Sequence, residues 1–142
     1  MVIFMRVRVF VDGASRGNPG PAGIGFVIVE ASGKVIERRG RYVGVSTNNQ
    51  AEYLALIEAL EACRRVGASR VEVFSDSELL VKQLKGEYRV KNSRLAVLYR
   101  RVKELEGLFE SVVYRHVPRE SNIEADALAN KAINLGGETS GL

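Results

Sequence analysis

The chain has no tryptophan, one cysteine, one histidine and three prolines in 142 residues. A lone Cys63 excludes an internal disulfide. It shares a helical face with Leu56, Ala59 and Leu60, the spacing of a buried core thiol. No apolar run is long enough to span a bilayer, and residues 1–5 are too short for a secretory leader and run directly into a strand pattern. These absences predict an intracellular, cytoplasmic protein built around one hydrophobic core, without a membrane partner. The length fits a single domain.

Aspartate is the next scarcity. Only Asp12, Asp76 and Asp126 occur, against fourteen glutamates. Surface solubility is indifferent to which acid is used, but a metal site is not, because one methylene moves the oxygens out of coordination geometry. Each aspartate also stands at a junction. Asp12 closes the apolar run 7–11, Asp76 closes 71–75, and Asp126 lies in the helical pattern 122–129. The alternative for Asp12 and Asp76 is turn formation. Asp126 reads as a mid-helix residue, where Asp is unfavourable. The net charge of +4 and pI of about 9.4, with fifteen arginines among twenty-one basic residues, permit a polyanionic partner, while the arginine enrichment also fits thermal adaptation or genome composition.

Hydrophobic periodicity predicts strands over residues 2–11, 26–29 and 35–45, joined as an antiparallel meander with a turn at 31–34. Residues 13–25, with five glycines and two prolines, read as a turn region. A helix capped by Thr47 or Asn48 runs to about Val66. A strand follows at 70–75, then helices to about Lys85 and from Ser93 to about Glu106, a strand at 111–117 and a last helix, capped by Ser121 or Asn122, to about Asn134. The order predicts an α/β domain over residues 1–135, with a mixed sheet and helices on both faces, and a frayed tail over 136–142.

Glu52 departs from the other glutamates. It falls in line with Leu56, Ala59 and Cys63, opposite Glu58, Glu61 and Arg65, so it points inward. A carboxylate facing a core needs a partner, unless it caps its own helix start. Strand ends and following helix starts meet at one sheet edge, which brings Asp12, Glu52, Asp76 and Asp126 together. Four such carboxylates require compensating cations. Two Mg²⁺ ions about 4 Å apart would neutralise them and clamp a phosphodiester for in-line attack by water.

The stretches 12–23 (DGASRGNPGPAG), 47–52 (TNNQAE), 75–77 (SDS) and 124–129 (EADALA), in this order and spacing, resemble type 1 ribonuclease H over nearly the whole chain. The resemblance implies a ribonuclease H-like fold with a mixed five-stranded sheet, three strands in an antiparallel meander and two parallel. It implies cleavage of the RNA strand of an RNA/DNA hybrid, with 3′-hydroxyl and 5′-phosphate products. It carries the metal-ligand role, for Mg²⁺ or Mn²⁺, to Asp12, Glu52, Asp76 and Asp126. Glu52 would in addition contact a 2′-hydroxyl. Small residues from Gly13 onward would let backbone approach the RNA strand. Gly13, Ser15, Asn18, Thr47, Asn48 and Asn49 resemble the family's substrate contacts, and their other reading is turn formation and capping. The Gly-rich stretch lacks the Lys-Ser/Thr ending of a P-loop.

Two departures stand out. The accessory role that many members give to a loop histidine falls here to His116, at a strand end, or to Arg119 in the following loop. The extra basic helix with tryptophans found in some members has no room in residues 86–93, which leaves Lys85, Tyr88, Arg89, Lys91 and Arg94 as candidates for gripping the duplex. A monomer is expected. A non-catalytic duplex-binding module and another nuclease of the same broad fold are the competing readings.

Overall fold

The structure, a computed structural model, describes residues 5–136 together with the backbone of residues 138 and 139. Three strands, β1 (Arg6–Ser15), β2 (Gly20–Glu30) and β3 (Val35–Ser46), form the meander. Helix α1 (Asn48–Arg65) leads to β4 (Arg70–Ser75), followed by α2 (Glu78–Leu84), α3 (Ser93–Glu106), β5 (Ser111–His116) and α4 (Ile123–Leu135). A two-residue strand, β6 (Glu138–Thr139), completes the order β5-β4-β1-β2-β3-β6. β4 runs parallel to both β1 and β5, and the other pairings are antiparallel. The five-stranded mixed sheet is the one the sequence predicts. β6 pairs with Gly40 and Arg41 of β3, so the expected tail contains a short edge strand; residues 137 and 140–142, and residues 2–4 of the predicted first strand, lie outside the described residues.

Alternation decides the two faces. Val7, Val9 and Val11 of β1 and Val71 and Val73 of β4 point into one core, with Tyr53, Leu56 and Leu60 of α1 and Val102 and Leu105 of α3. Fully burying one such side chain contributes about 1.5–3 kcal/mol. Cys63 belongs to this core, and burial pushes its thiol up to about 12. The even-numbered residues of β1 look the other way, where α4 packs across β1, β2 and β3.

The glycine-rich stretch is mostly strand, not turn. β1 continues to Ser15 and β2 starts at Gly20, so only residues 16–19 connect them. Its glycines serve close packing. A Cβ on Gly13 would lie 2.2 Å from the Ala51 carbonyl of α1, and one on Gly25 would lie 2.2 Å from the Ala125 carbonyl of α4. The approach that small residues were expected to offer an RNA strand is, at Gly13, Gly23 and Gly25, taken by the protein's own helices. Asp12 is accordingly inside β1 rather than at its end, paired across to Gly25.

Candidate active site

The two touchdown points flank Asp12. Gly13 follows it on the α1 face, and the missing side chain leaves room for Glu52, whose Oε1 accepts the Gly13 N–H at 2.7 Å. Gly25 sits opposite Asp12, and the Ala125 carbonyl resting on it sets Asp126, the next residue, beside Asp12. Thr47 fixes α1 with a reciprocal cap. Its hydroxyl accepts from Gln50 N at 3.1 Å, and the Gln50 side chain accepts from Thr47 N at 2.9 Å. Asp76 follows β4 directly, ahead of a cap by Ser77 on α2. Asp126 occupies the first turn of α4, not its middle, and an acid is favoured there.

One oxygen each from Asp12, Glu52 and Asp76 lies within 4.8 Å of the others. Asp12 and Glu52 are buried, and Asp12 Oδ2 has no hydrogen-bond partner. Burial first, then the charges of Glu52, Asp76 and Asp126, push the Asp12 carboxyl up to about 9. Burial also raises Glu52, to about 8; the Gly13 N–H and the Ser77 hydroxyl oppose the rise, and Asp76 and Asp126 add to it. Without a cation the cluster therefore holds protons at neutral pH. Hard oxygen donors, an orphaned carboxylate oxygen and proton-displaceable acids fit a hard divalent cation.

The remaining expected residues divide. Ser15 donates its hydroxyl to the Ser46 carbonyl at 2.8 Å, which ties the strand ends together. Asn18 Oδ1 accepts from Asn48 N at 3.1 Å, so the 16–19 loop rests on the start of α1. Asn18, Asn48 and Asn49 are exposed, whereas the Thr47 hydroxyl is engaged in the cap. His116 is the last residue of β5, in register with Ser75, and the following Val117 N–H bonds the Ser75 carbonyl at 2.9 Å. It is strand, while Arg119 opens a single exposed 3₁₀ turn (Arg119–Ser121).

Two asparagines at the site were not singled out from sequence. Asn130 Nδ2 donates to Asp126 Oδ1 at 3.2 Å. Asn122, expected only as a cap, turns its side chain inward instead. Their signal was positional: each lies one helical turn from Asp126.

A family model described as "Reverse transcriptase-like" matches residues 10–132. A ribonuclease HI of Halobacterium salinarum is 46% identical over 129 residues, 91% of this chain and 65% of that protein. A bifunctional protein of Mycobacterium tuberculosis is 40% identical over 95% of this chain and 37% of its own length. The chain thus spans only part of these relatives. Among solved structures, the RNase H1 of H. salinarum superposes with a TM-score of 0.89, covering 91% of this chain and 98% of that one. LC11-RNase H1, in complex with an RNA/DNA hybrid, superposes with a TM-score of 0.88 at 41% identity, over 92% of this chain and 98% of that one.

Proposed function

The chain belongs to the reverse transcriptase-like family, in its type 1 ribonuclease H form, and from that premise we propose that it is an endoribonuclease that hydrolyses the RNA strand of RNA/DNA hybrids. The observation that carries the reading is the triad of buried Asp12 and Glu52 with half-buried Asp76, with oxygens within 4.8 Å and Asp126 alongside. Asp12, Glu52, Asp76 and Asp126 would hold two Mg²⁺ or Mn²⁺ ions. When bound, these would activate water and neutralise charge on the scissile phosphate for in-line displacement, leaving 3′-hydroxyl and 5′-phosphate ends.

The protein's own groups set the stage. The Gly13 N–H holds Glu52 in one orientation, from which its free oxygen reaches a 2′-hydroxyl and so separates RNA from DNA. Exposed Asn18, Asn48 and Asn49 on the neighbouring rim donate to base edges or phosphate. Arg119 assists departure of the product, with His116 as the alternative. A groove of about 610 Å³ beside α3, lined in part by Tyr88, Arg89 and Arg100, offers an aromatic and cationic hold on the duplex where the family's extra basic helix is missing. The working species is a cytoplasmic monomer.

A non-catalytic module is the weaker reading: three further acids confined around the buried Asp12 carboxyl are unfavourable unless a cation is needed. The test is a panel of RNA/DNA hybrid, double-stranded RNA, double-stranded DNA and a duplex with one ribonucleotide, each with Mg²⁺ or Mn²⁺. Internal cuts confined to the RNA of the hybrid support the proposal. Cleavage of double-stranded DNA, or none of any substrate, overturns it.

A further inference from the structure

Asn122 stands at the N-cap of α4, a position where Asn ordinarily folds its side chain back onto the helix. Here it makes no such cap. The side chain is buried at 2% exposure, and Nδ2 donates to the Val11 carbonyl at 2.8 Å. That carbonyl lies one residue past Phe10–Phe74, where the parallel β1–β4 ladder stops. The same Nδ2 approaches Asp76 Oδ1 at 3.4 Å. The backbone carbonyl of Asn122 accepts from Asp126 N at 3.2 Å. A single residue thus touches the strand just before Asp12, the carboxylate of Asp76 and the helix turn bearing Asp126.

Both neighbours of Nδ2 are acceptors, so the amide orientation is dictated and an acid could not replace it. Its other atom, Oδ1, is buried without a partner. An outward-turned cap would have satisfied both atoms in water, so a residue chosen only to start a helix would not be arranged this way.

We propose that Asn122 is a positioning residue that brackets the three aspartate-bearing elements and sets the spacing of the carboxylates for cation binding; this rests on the endonuclease reading of the site. Residues that orient metal-binding carboxylates typically alter metal affinity or activity ~10- to 100-fold when removed. The test uses Asn122→Leu, which keeps the volume and removes the donor, and Asn122→Ser, which removes it without bulk. Mn²⁺ affinity is measured by calorimetry, unfolding in chelator, and kcat and KM on an RNA/DNA hybrid at saturating Mn²⁺. The expected result is Mn²⁺ affinity weakened by about tenfold or more, kcat lowered, and KM held within about twofold. A control, Ile28→Val in the far core, should lower the melting temperature without moving Mn²⁺ affinity.

Affinity and kcat both unchanged in a folded Asn122 variant overturn the proposal, whatever happens to the melting temperature. The wild-type protein supplies a second measurement that needs no variant to fold. The Asn122 side-chain amide, followed by NMR, shifts on Mg²⁺ titration if it bears on Asp76, and its indifference to saturating Mg²⁺ also overturns the bracket. If the wild type binds Mg²⁺ and leaves the hybrid uncut, the endonuclease reading falls while the binding data still judge Asn122.

Discussion

Gly13, the residue directly after Asp12, donates its N–H to Glu52 Oε1 at 2.7 Å. The bond gives a buried carboxylate a donor, yet burial and nearby charge still raise Glu52 to about 8. Glu52→Gln keeps an acceptor for Gly13 and removes the charge. In chelator at pH 8 it should match or exceed the wild type in stability while losing hybrid cleavage. Glu52→Ala should be less stable by about 1–3 kcal/mol, because the Gly13 N–H is orphaned. Urea unfolding of both variants checks this; a Gln variant weaker than wild type would make Glu52 a structural element.

Asp12→Asn and Asp76→Asn should each reduce hybrid cleavage by about a hundred- to a thousandfold, the scale of removing a group that holds charge in the transition state. Both should fold. Gel assays at matched protein concentration, with circular dichroism as the folding control, decide it, and undiminished cleavage by either variant would remove that residue from the site.

Metal-free stability should depend on pH in a defined window. Unfolded carboxylates titrate near ~4, and Asp12 and Glu52 sit at about 9 and 8 in the fold. Between those limits the folded protein binds more protons than the unfolded chain. These two groups therefore destabilise progressively as pH rises from about 4 to about 9. Asp12→Asn should flatten the profile, and Mn²⁺ should offset the loss at high pH. Unfolding curves in chelator at pH 5, 7 and 9 are the measurement; parallel profiles for wild type and variant would contradict it.

Gly25→Ala should destabilise the protein by about 3 kcal/mol, since the added carbon meets the Ala125 carbonyl at 2.2 Å. Cleavage should fall with it, because α4 must lift and carries Asp126 away from Asp12. Gly33→Ala is the contrast. Gly33 has open space around it and a φ of +97°, so its loss reflects backbone strain alone and should leave kcat intact. Equal kcat for the two variants would separate α4 seating from activity.

Arg119→Ala should lower steady-state turnover by about tenfold, the loss of one charge-assisted contact, and His116→Ala should lower it less. Single-turnover cleavage should be nearly unchanged for Arg119→Ala. A larger defect in His116→Ala would assign the accessory role to the strand end.

Element types and order were legible in the sequence because strand and helix periods are strong and uninterrupted, and α3 starts at Ser93 and ends at Glu106 as its pattern predicts. The inward phase of Glu52 was legible for the same reason. The glycine stretch was not. Gly in a turn and Gly beneath a helix look alike until the partner backbone is known, and the contacts at Gly13 and Gly25 join residues far apart in sequence. Asp126 looked mid-helical from the pattern 122–129, although the expected cap at Ser121 or Asn122 already put it in the first turn, where the structure has it. Asn122 was hidden because a capping type at a capping position gives no hint that its side chain turns inward.

The absent Cβ atoms at Gly13 and Gly25 make the distance between carboxylates a matter of excluded volume. Each helix seats where the strand surface is bare, and sliding α4 by one residue, a rise of about 1.5 Å, would drive it into occupied space. Ion pairs such as Arg38–Glu124 and Arg41–Glu58 weaken with salt, but steric seating does not. A relative could exchange every surface charge, or change the length of the 117–121 loop, and still present the four acids at the same separation, provided those two positions stay bare and the inward asparagine at the start of α4 is kept.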